Sequence, residues 1–203
     1  MKNVILINGP ARSGKDTIAK YMKEELNKRE INVEILSFAE PLKQIIADTF
    51  DISLTTLEYY KNNADNISIE CIKENRNDFQ VLEVTNFRRI LQRFGTEGMK
   101  PVFGNNVWAN LVVQKIKQSN AEVFIIPDFR FQIEADTILK LENEDIAHCY
   151  FISIHSDMST TSENKHISEN DLKDFEFDYI INNMKDELHE TKFCINELLF
   201  EMI

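Results

Sequence analysis

The chain has 203 residues and a net charge of −11, from 23 lysines and arginines against 34 aspartates and glutamates. That length suits one domain carrying an inserted segment, and it buries enough surface to fold without covalent staples. The acidic balance disfavours loose binding to DNA, RNA or an anionic membrane. Cys71, Cys149 and Cys194 are far apart and form no C-x-x-C, so neither a disulfide framework nor a zinc knuckle is suggested. No apolar stretch is long enough for a signal peptide or a membrane span, so the expected location is the cytoplasm.

Val4–Ile7 is wholly apolar, the pattern of a strand buried on both faces. The segment GPARSGKDT, Gly9 to Thr17, follows it, and 16–28 then carries a helical pattern through Ile18, Ala19, Met22 and Leu26. Residues 33–36 predict a second strand and 41–50 a helix with Pro41 in its first turn. Residues 51–84 are polar, asparagine-rich and mixed, and predict an irregular excursion with some helix. Helices are expected over 86–95 and 106–119, a third strand over 123–126 and a helix over 129–141. A fourth strand at 148–154, a Ser/Thr/Asn-rich loop over 155–170, a fifth strand at 178–181 and a closing helix over 185–202 complete the order. Strands alternating with helices imply an α/β fold with a mostly parallel sheet covered on both faces. Ligands bind such sheets at the carboxyl ends of the strands. The loop at 9–17, Ser37-Phe38, Asp128 and His155 would all lie at that edge.

Only five glycines occur, at 9, 14, 95, 98 and 104, in two short segments. Glycine marks sharp turns and close ligand approach, so the two segments are candidate sites. The first fits G-x-x-x-x-G-K between a buried strand and a helix, the context of a phosphate-binding loop. Its backbone N–H groups can cradle phosphate oxygens, with Lys15 reaching the β- and γ-phosphates. Asp16 replaces the usual Ser or Thr. It is a hard oxygen ligand suited to Mg²⁺, with Thr17 as the next hydroxyl. It also suits the first turn of a helix electrostatically, so capping alone is the other reading.

The second segment runs from Asn86 to Trp108. On an α-helix Arg89, Gln92, Arg93 and Thr96 share a face, and Arg88 and Gln92 stand four apart. Arginine forks match phosphate oxygens, and glutamine can bond both donors and acceptors on a base. The stripe is also compatible with a solvated surface, and Trp108 with either base stacking or core filling. Lys43 follows a strand end in Ser37–Lys43. Asp128 ends a buried strand, where it serves magnesium or caps the next helix. Arg130 could reach a phosphate, and Glu134 lies one turn further on.

GPARSGKDT, FAEPLK, R-R-x-x-Q-x-x-G-T at 88–96, Trp108 and D-x-R-x-x-x-E at 128–134 together resemble the bacteriophage-type deoxynucleoside monophosphate kinases of the P-loop kinase superfamily. The match spans about 4–135, loosely over 51–84, and the G-K-D-T ending is a variant seen in that family. The resemblance implies a three-layer sandwich with a five-stranded mostly parallel sheet. It implies a monophosphate-binding insertion over about 38–106 and a lid over about 155–175, where Lys165 and His166 are the candidate cations. It implies transfer of the ATP γ-phosphoryl group to a deoxynucleoside 5′-monophosphate, with Mg²⁺. Gly9, Ala11, Arg12, Ser13, Gly14 and Lys15 would hold ATP, and Asp16 and Thr17 would sit at the magnesium. Lys43, Arg88, Arg89, Gln92, Gly95, Thr96, Trp108, Asp128 and Glu134 would surround the acceptor. Lys15, Asp128 and Arg130 would act in catalysis, Arg130 by neutralising charge as the phosphoryl moves. Asn182-Asn183 is a candidate adenine contact. Related enzymes often form homodimers, and the oligomeric state is left open. A kinase of another phosphorylated acceptor, such as phosphomevalonate, and a non-catalytic nucleotide-binding protein are the alternative readings.

Overall fold

The structure, a computed structural model, describes residues 1–63, 69–74, 80–157, 171–184 and 187–203. Its elements in chain order are β1 (Lys2–Asn8), α1 (Lys15–Lys28), β2 (Val33–Ile35), α2 (Glu40–Thr49), α3 (Leu54–Asn62), β3 (Ile69–Glu74), β4 (Gln80–Thr85) and α4 (Phe87–Arg93). A π-helical turn (Phe94–Met99) follows, then α5 (Lys100–Phe103), α6 (Val107–Gln118), β5 (Val123–Ile126), α7 (Gln132–Ile138) and α8 (Lys140–Asn143). β6 (Ala147–His155), β7 (Tyr179–Asn182) and α9 (Leu188–Met202) close the chain. Most of the expected lid, with Lys165 and His166, lies outside the described residues.

The chain divides into two units, one of Met1–Phe38 with Ala109–Ile203 and one of Ala39–Trp108. The first holds a parallel five-stranded sheet in the order β2-β5-β1-β6-β7. Its central strands are apolar because both faces are covered. Val4 and Leu6 of β1 enter one core with Phe124, Ile126 and Phe151, against Val112 and Ile116 of α6 and Ala135 and Ile138 of α7. Ile5 and Ile7 enter the other, with Ile125, Ile152 and Ile154, against Ile18, Met22 and Leu26 of α1 and Ile195 and Leu199 of α9. The layers are therefore helix, sheet, helix, the three-layer sandwich expected from the sequence. All four pairings in this sheet are parallel, and every strand points its carboxyl end to one edge.

The second unit departs from expectation over 51–84. The helix expected there is α3, but an antiparallel hairpin of β3 and β4, paired from Ile69↔Thr85 to Glu74↔Gln80, stands where irregular chain was expected. Ser53 caps α3, its Oγ accepting from Thr56 N–H at 3.0 Å. The unit's core joins Ile46 and Ala47 of α2, Leu57 of α3, and Phe87 and Leu91 of α4. Phe87 stacks on Tyr60 at 5.3 Å and meets Phe50 edge-on at 5.1 Å. Among the described residues no helix is long and apolar enough to cross a membrane.

Candidate active site

The carboxyl edge of the parallel sheet is stitched together by side chains from loops far apart in sequence. β1 turns into Gly9, where an added Cβ would meet Ile154 O at 2.8 Å and Ser13 Oγ at 2.9 Å. Glycine is thus required for the loop to pass close to β6. Arg12 has φ 63 and Gly14 φ 89, so the loop reverses sharply before α1 begins at Lys15. A non-glycine residue in this region is held there at a cost in free energy, a feature concentrated at ligand sites. Arg12 is exposed at the loop surface, whereas Ser13 is fully buried.

Lys15 is only 9% exposed. Its ammonium donates to Gly9 O at 2.8 Å and Pro10 O at 2.6 Å, which holds the cation across the loop it belongs to. Burial, then the positive charge of Arg130, lowers its pKa, while Asp16 and Asp128 pull the other way. Lys15, Arg130, Asp16 and Asp128 are therefore one electrostatic group. Asp16 and Thr17, in the first turn of α1, are both exposed. One carboxylate and one hydroxyl at the exposed start of α1 are donor types that fit Mg²⁺, which takes few protein ligands and the rest from other oxygens and water. Among the described residues no cluster of three or more His, Cys, Asp or Glu side chains could hold a metal alone.

Asp128, after β5, accepts from Ser37 Oγ–H at 2.6 Å and from Phe38 N–H at 3.0 Å. Both of its oxygens thereby fasten the segment after β2 to the segment after β5. Asn8 Nδ2 donates to Phe129 O at 2.9 Å, tying β1 to the same segment. Glu134 is 9% exposed and caps α7, its Oε2 accepting from Arg130 N–H at 2.8 Å and Phe131 N–H at 3.1 Å. That fixes the backbone from which the exposed Arg130 side chain extends.

After β7, Asn183 is 6% exposed and donates its side-chain amide to Ser13 O at 2.9 Å. Its Nδ2 would lie 2.5 Å from a Cβ on Gly14, so the missing side chain at 14 makes room for it. Its backbone N–H binds His155 O at 2.7 Å. A cavity of about 240 Å³ opens beside this contact, lined by Gly14, Thr17, Ile18 and Tyr21 of the loop and α1, and by Asn183, Met184, Leu188, Thr191, Lys192 and Ile195.

The Ala39–Trp108 unit holds the other predicted residues. Asn86 caps α4 by accepting from Arg89 N–H at 3.0 Å. Arg88, Arg89, Gln92, Arg93 and Thr96 are exposed. Thr96, however, lies in the π-helical turn, where an i→i+5 ladder shifts the register, so the face predicted from α-helical spacing does not run unbroken from Arg89 to Thr96. Arg93 Nε lies 3.4 Å from Glu97 Oε2 across that turn. Gly95 is buried; a Cβ there would meet Leu42 Cδ2 at 2.8 Å. Trp108 is 8% exposed and donates Nε1–H to Gly95 O at 3.2 Å, so its indole anchors the turn from within. Lys43 Nζ stands 2.6 Å from Glu58 Oε1, and Lys61 Nζ 2.7 Å from Glu58 Oε2. Glu58 and Lys61 lie in the stretch read as irregular. Their spacing of three, following a Ser53 cap, was the available signal for a helix that pairs them.

Comparison with known proteins adds a family. The model described as deoxynucleotide monophosphate kinase matches residues 52–192, more than half of the chain. No curated protein matches. Among solved structures, an APS kinase CysC mutant from Mycobacterium tuberculosis aligns at 11% identity over 98% of this chain and 96% of its own, with a TM-score of 0.43. A gluconokinase from Sinorhizobium meliloti 1021 gives 11%, 98%, 94% and 0.43. A shikimate kinase from Bacteroides thetaiotaomicron gives 14%, 97%, 98% and 0.38.

Proposed function

Because the chain belongs to the deoxynucleotide monophosphate kinase family, we propose that it transfers the γ-phosphoryl group of ATP to a deoxynucleoside 5′-monophosphate, giving ADP and the diphosphate. The observation that carries this reading is the buried Lys15 in its glycine-bounded loop, within electrostatic reach of Arg130, Asp16 and Asp128 at the carboxyl edge of a parallel sheet. Such a transfer needs little covalent help from protein; it needs alignment and positive charge around the moving group.

The loop N–H groups and the amino end of α1 bind the ATP phosphates. Lys15 exchanges the Gly9 and Pro10 carbonyls for β- and γ-phosphate oxygens, contacts of similar length and greater strength. The base of ATP enters the cavity beside Gly14 and Asn183. Asp16, with Thr17, would hold Mg²⁺, and the ion would supply charge neutralisation on the phosphates. Arg130 carries charge for the transferring group, and Asp128 keeps the two neighbouring segments in register. The acceptor takes its phosphate from Lys43, Arg88 and Arg89 and its base edge from Gln92, with Gly95, Thr96 and Trp108 shaping the wall.

A coupled ADP-release assay across dAMP, dGMP, dCMP, dTMP and phosphomevalonate tests this reading. Turnover is expected with at least one nucleotide and not with phosphomevalonate. Turnover with no nucleotide monophosphate would sink it. Arg89→Ala is expected to raise KM for the monophosphate about tenfold or more and to leave KM for ATP in place.

A further inference from the structure

Two helices of the Ala39–Trp108 unit bring cations to one carboxylate, and a third brings an arginine to the backbone beside it. Lys43 of α2 stands 2.6 Å from Glu58 Oε1 and Lys61 of α3 stands 2.7 Å from Oε2, so each oxygen grips one ammonium. Arg88 of α4 donates Nη2–H to the carbonyl of Lys61 at 3.4 Å. Lys61 is thus joined by its side chain to the partner of Lys43 and by its backbone to Arg88. The Lys43, Glu58 and Lys61 side chains are 27%, 35% and 30% exposed, shielded but open to a ligand. One negative charge against two ammonium groups and a nearby guanidinium leaves a local positive excess in a chain whose net charge is −11.

We propose that Glu58 and Lys61 belong to the acceptor-phosphate site, Lys61 as a further phosphate-binding cation and Glu58 as the positioning residue that holds Lys61 and Lys43 side by side. The proposal rests on the reading that this unit takes the monophosphate. Two ammonium groups brought together without a counter-ion repel each other and splay apart. Glu58 offsets that repulsion before substrate arrives, so the phosphate meets two donors already in place. Burial alone would raise the Glu58 pKa, but the hydrogen bonds and charges of Lys43 and Lys61 outweigh it and hold it below its ordinary value. The carboxylate is therefore ionised, as the role requires.

A purely structural role predicts something else. Part-exposed ion pairs add little to stability, so their removal would be near-neutral in every assay. The test uses Lys61→Met, Glu58→Gln and Glu58→Asp in the full chain, with KM for dGMP or the best monophosphate, KM for ATP, and the melting temperature. Lys61→Met and Glu58→Gln are each expected to raise monophosphate KM about tenfold, with ATP KM held and the melting temperature lowered by no more than about 2–4 °C. Glu58→Asp keeps the charge and is expected to recover most of that loss. An unchanged monophosphate KM in both Lys61→Met and Glu58→Gln overturns the proposal. So does an equal rise for both substrates, or a lower monophosphate KM in Glu58→Gln, which would make the carboxylate a competitor. If Glu58→Gln melts early, Lys61→Met decides alone. A wild-type chain that turns over no monophosphate overturns the kinase reading and this inference with it; an active wild type with indifferent variants overturns only this inference.

Discussion

Asn183 closes the Gly9–Thr17 loop from the far end of the chain, reaching Ser13 O across 170 positions of sequence. Asn183→Asp replaces the donated amide with a carboxylate oxygen facing a carbonyl oxygen, a buried repulsion in place of a hydrogen bond. ATP affinity is expected to fall about tenfold or more, read by calorimetry, while Asn182→Ala, at an exposed neighbour, leaves it unchanged. Equal behaviour of the two variants would deny Asn183 its role. Glu58 makes a second residue-scale prediction. Its pKa is lowered on folding, so its contribution is complete above the ordinary glutamate range and is lost as pH falls below it. The stability gap between wild type and Glu58→Gln is therefore expected to close below about pH 4, as denaturant titrations at several pH values would record. A gap that widens in acid would contradict this.

At the scale of elements, the π-helical turn at Phe94–Met99 sets the shape of the arginine-bearing helix. Gly95 lets Leu42 approach within what would be 2.8 Å of a Cβ, and its carbonyl receives the Trp108 indole. Gly95→Ala should cost about 1–3 kcal/mol. Leu42→Ala in the same chain should return part of that, because the clash is with the end of a flexible side chain. A double-mutant cycle by chemical denaturation checks it; strict additivity would show that the two residues do not meet. The central strands β1 and β5 are legible in sequence, since burial on both faces leaves the continuous apolar runs Val4–Ile7 and Val123–Ile126, whereas the edge strands β2 and β7 carry shorter, partly exposed runs. The β3–β4 hairpin is not, because IECIKE and QVLEVT mix charges with apolar residues in short strands. The π-helical turn is illegible for another reason: spacing arguments assume an α-helix, and one widened turn shifts every later residue, Thr96 among them. The phosphate-binding loop is legible as a local motif, whereas Asp128 fastening Ser37 and Phe38, and Asn183 fastening Ser13, are long-range contacts that no local pattern encodes.

For the whole molecule, the account divides labour along the chain. Met1–Phe38 with Ala109–Ile203 carries the loop, Lys15 and Arg130; Ala39–Trp108 carries Lys43, Glu58, Lys61 and the arginine stripe. Lys15→Met would then remove turnover with every acceptor, whereas changes in the Ala39–Trp108 unit would alter acceptor KM alone. The central claim is that phosphate moves from ATP to a nucleotide. Incubating the protein with γ-labelled ATP, Mg²⁺ and each deoxynucleoside monophosphate, and resolving the products, tests it most directly. Label is expected in a deoxynucleoside diphosphate for at least one base; label only in ATP and inorganic phosphate for all of them would refute the transfer.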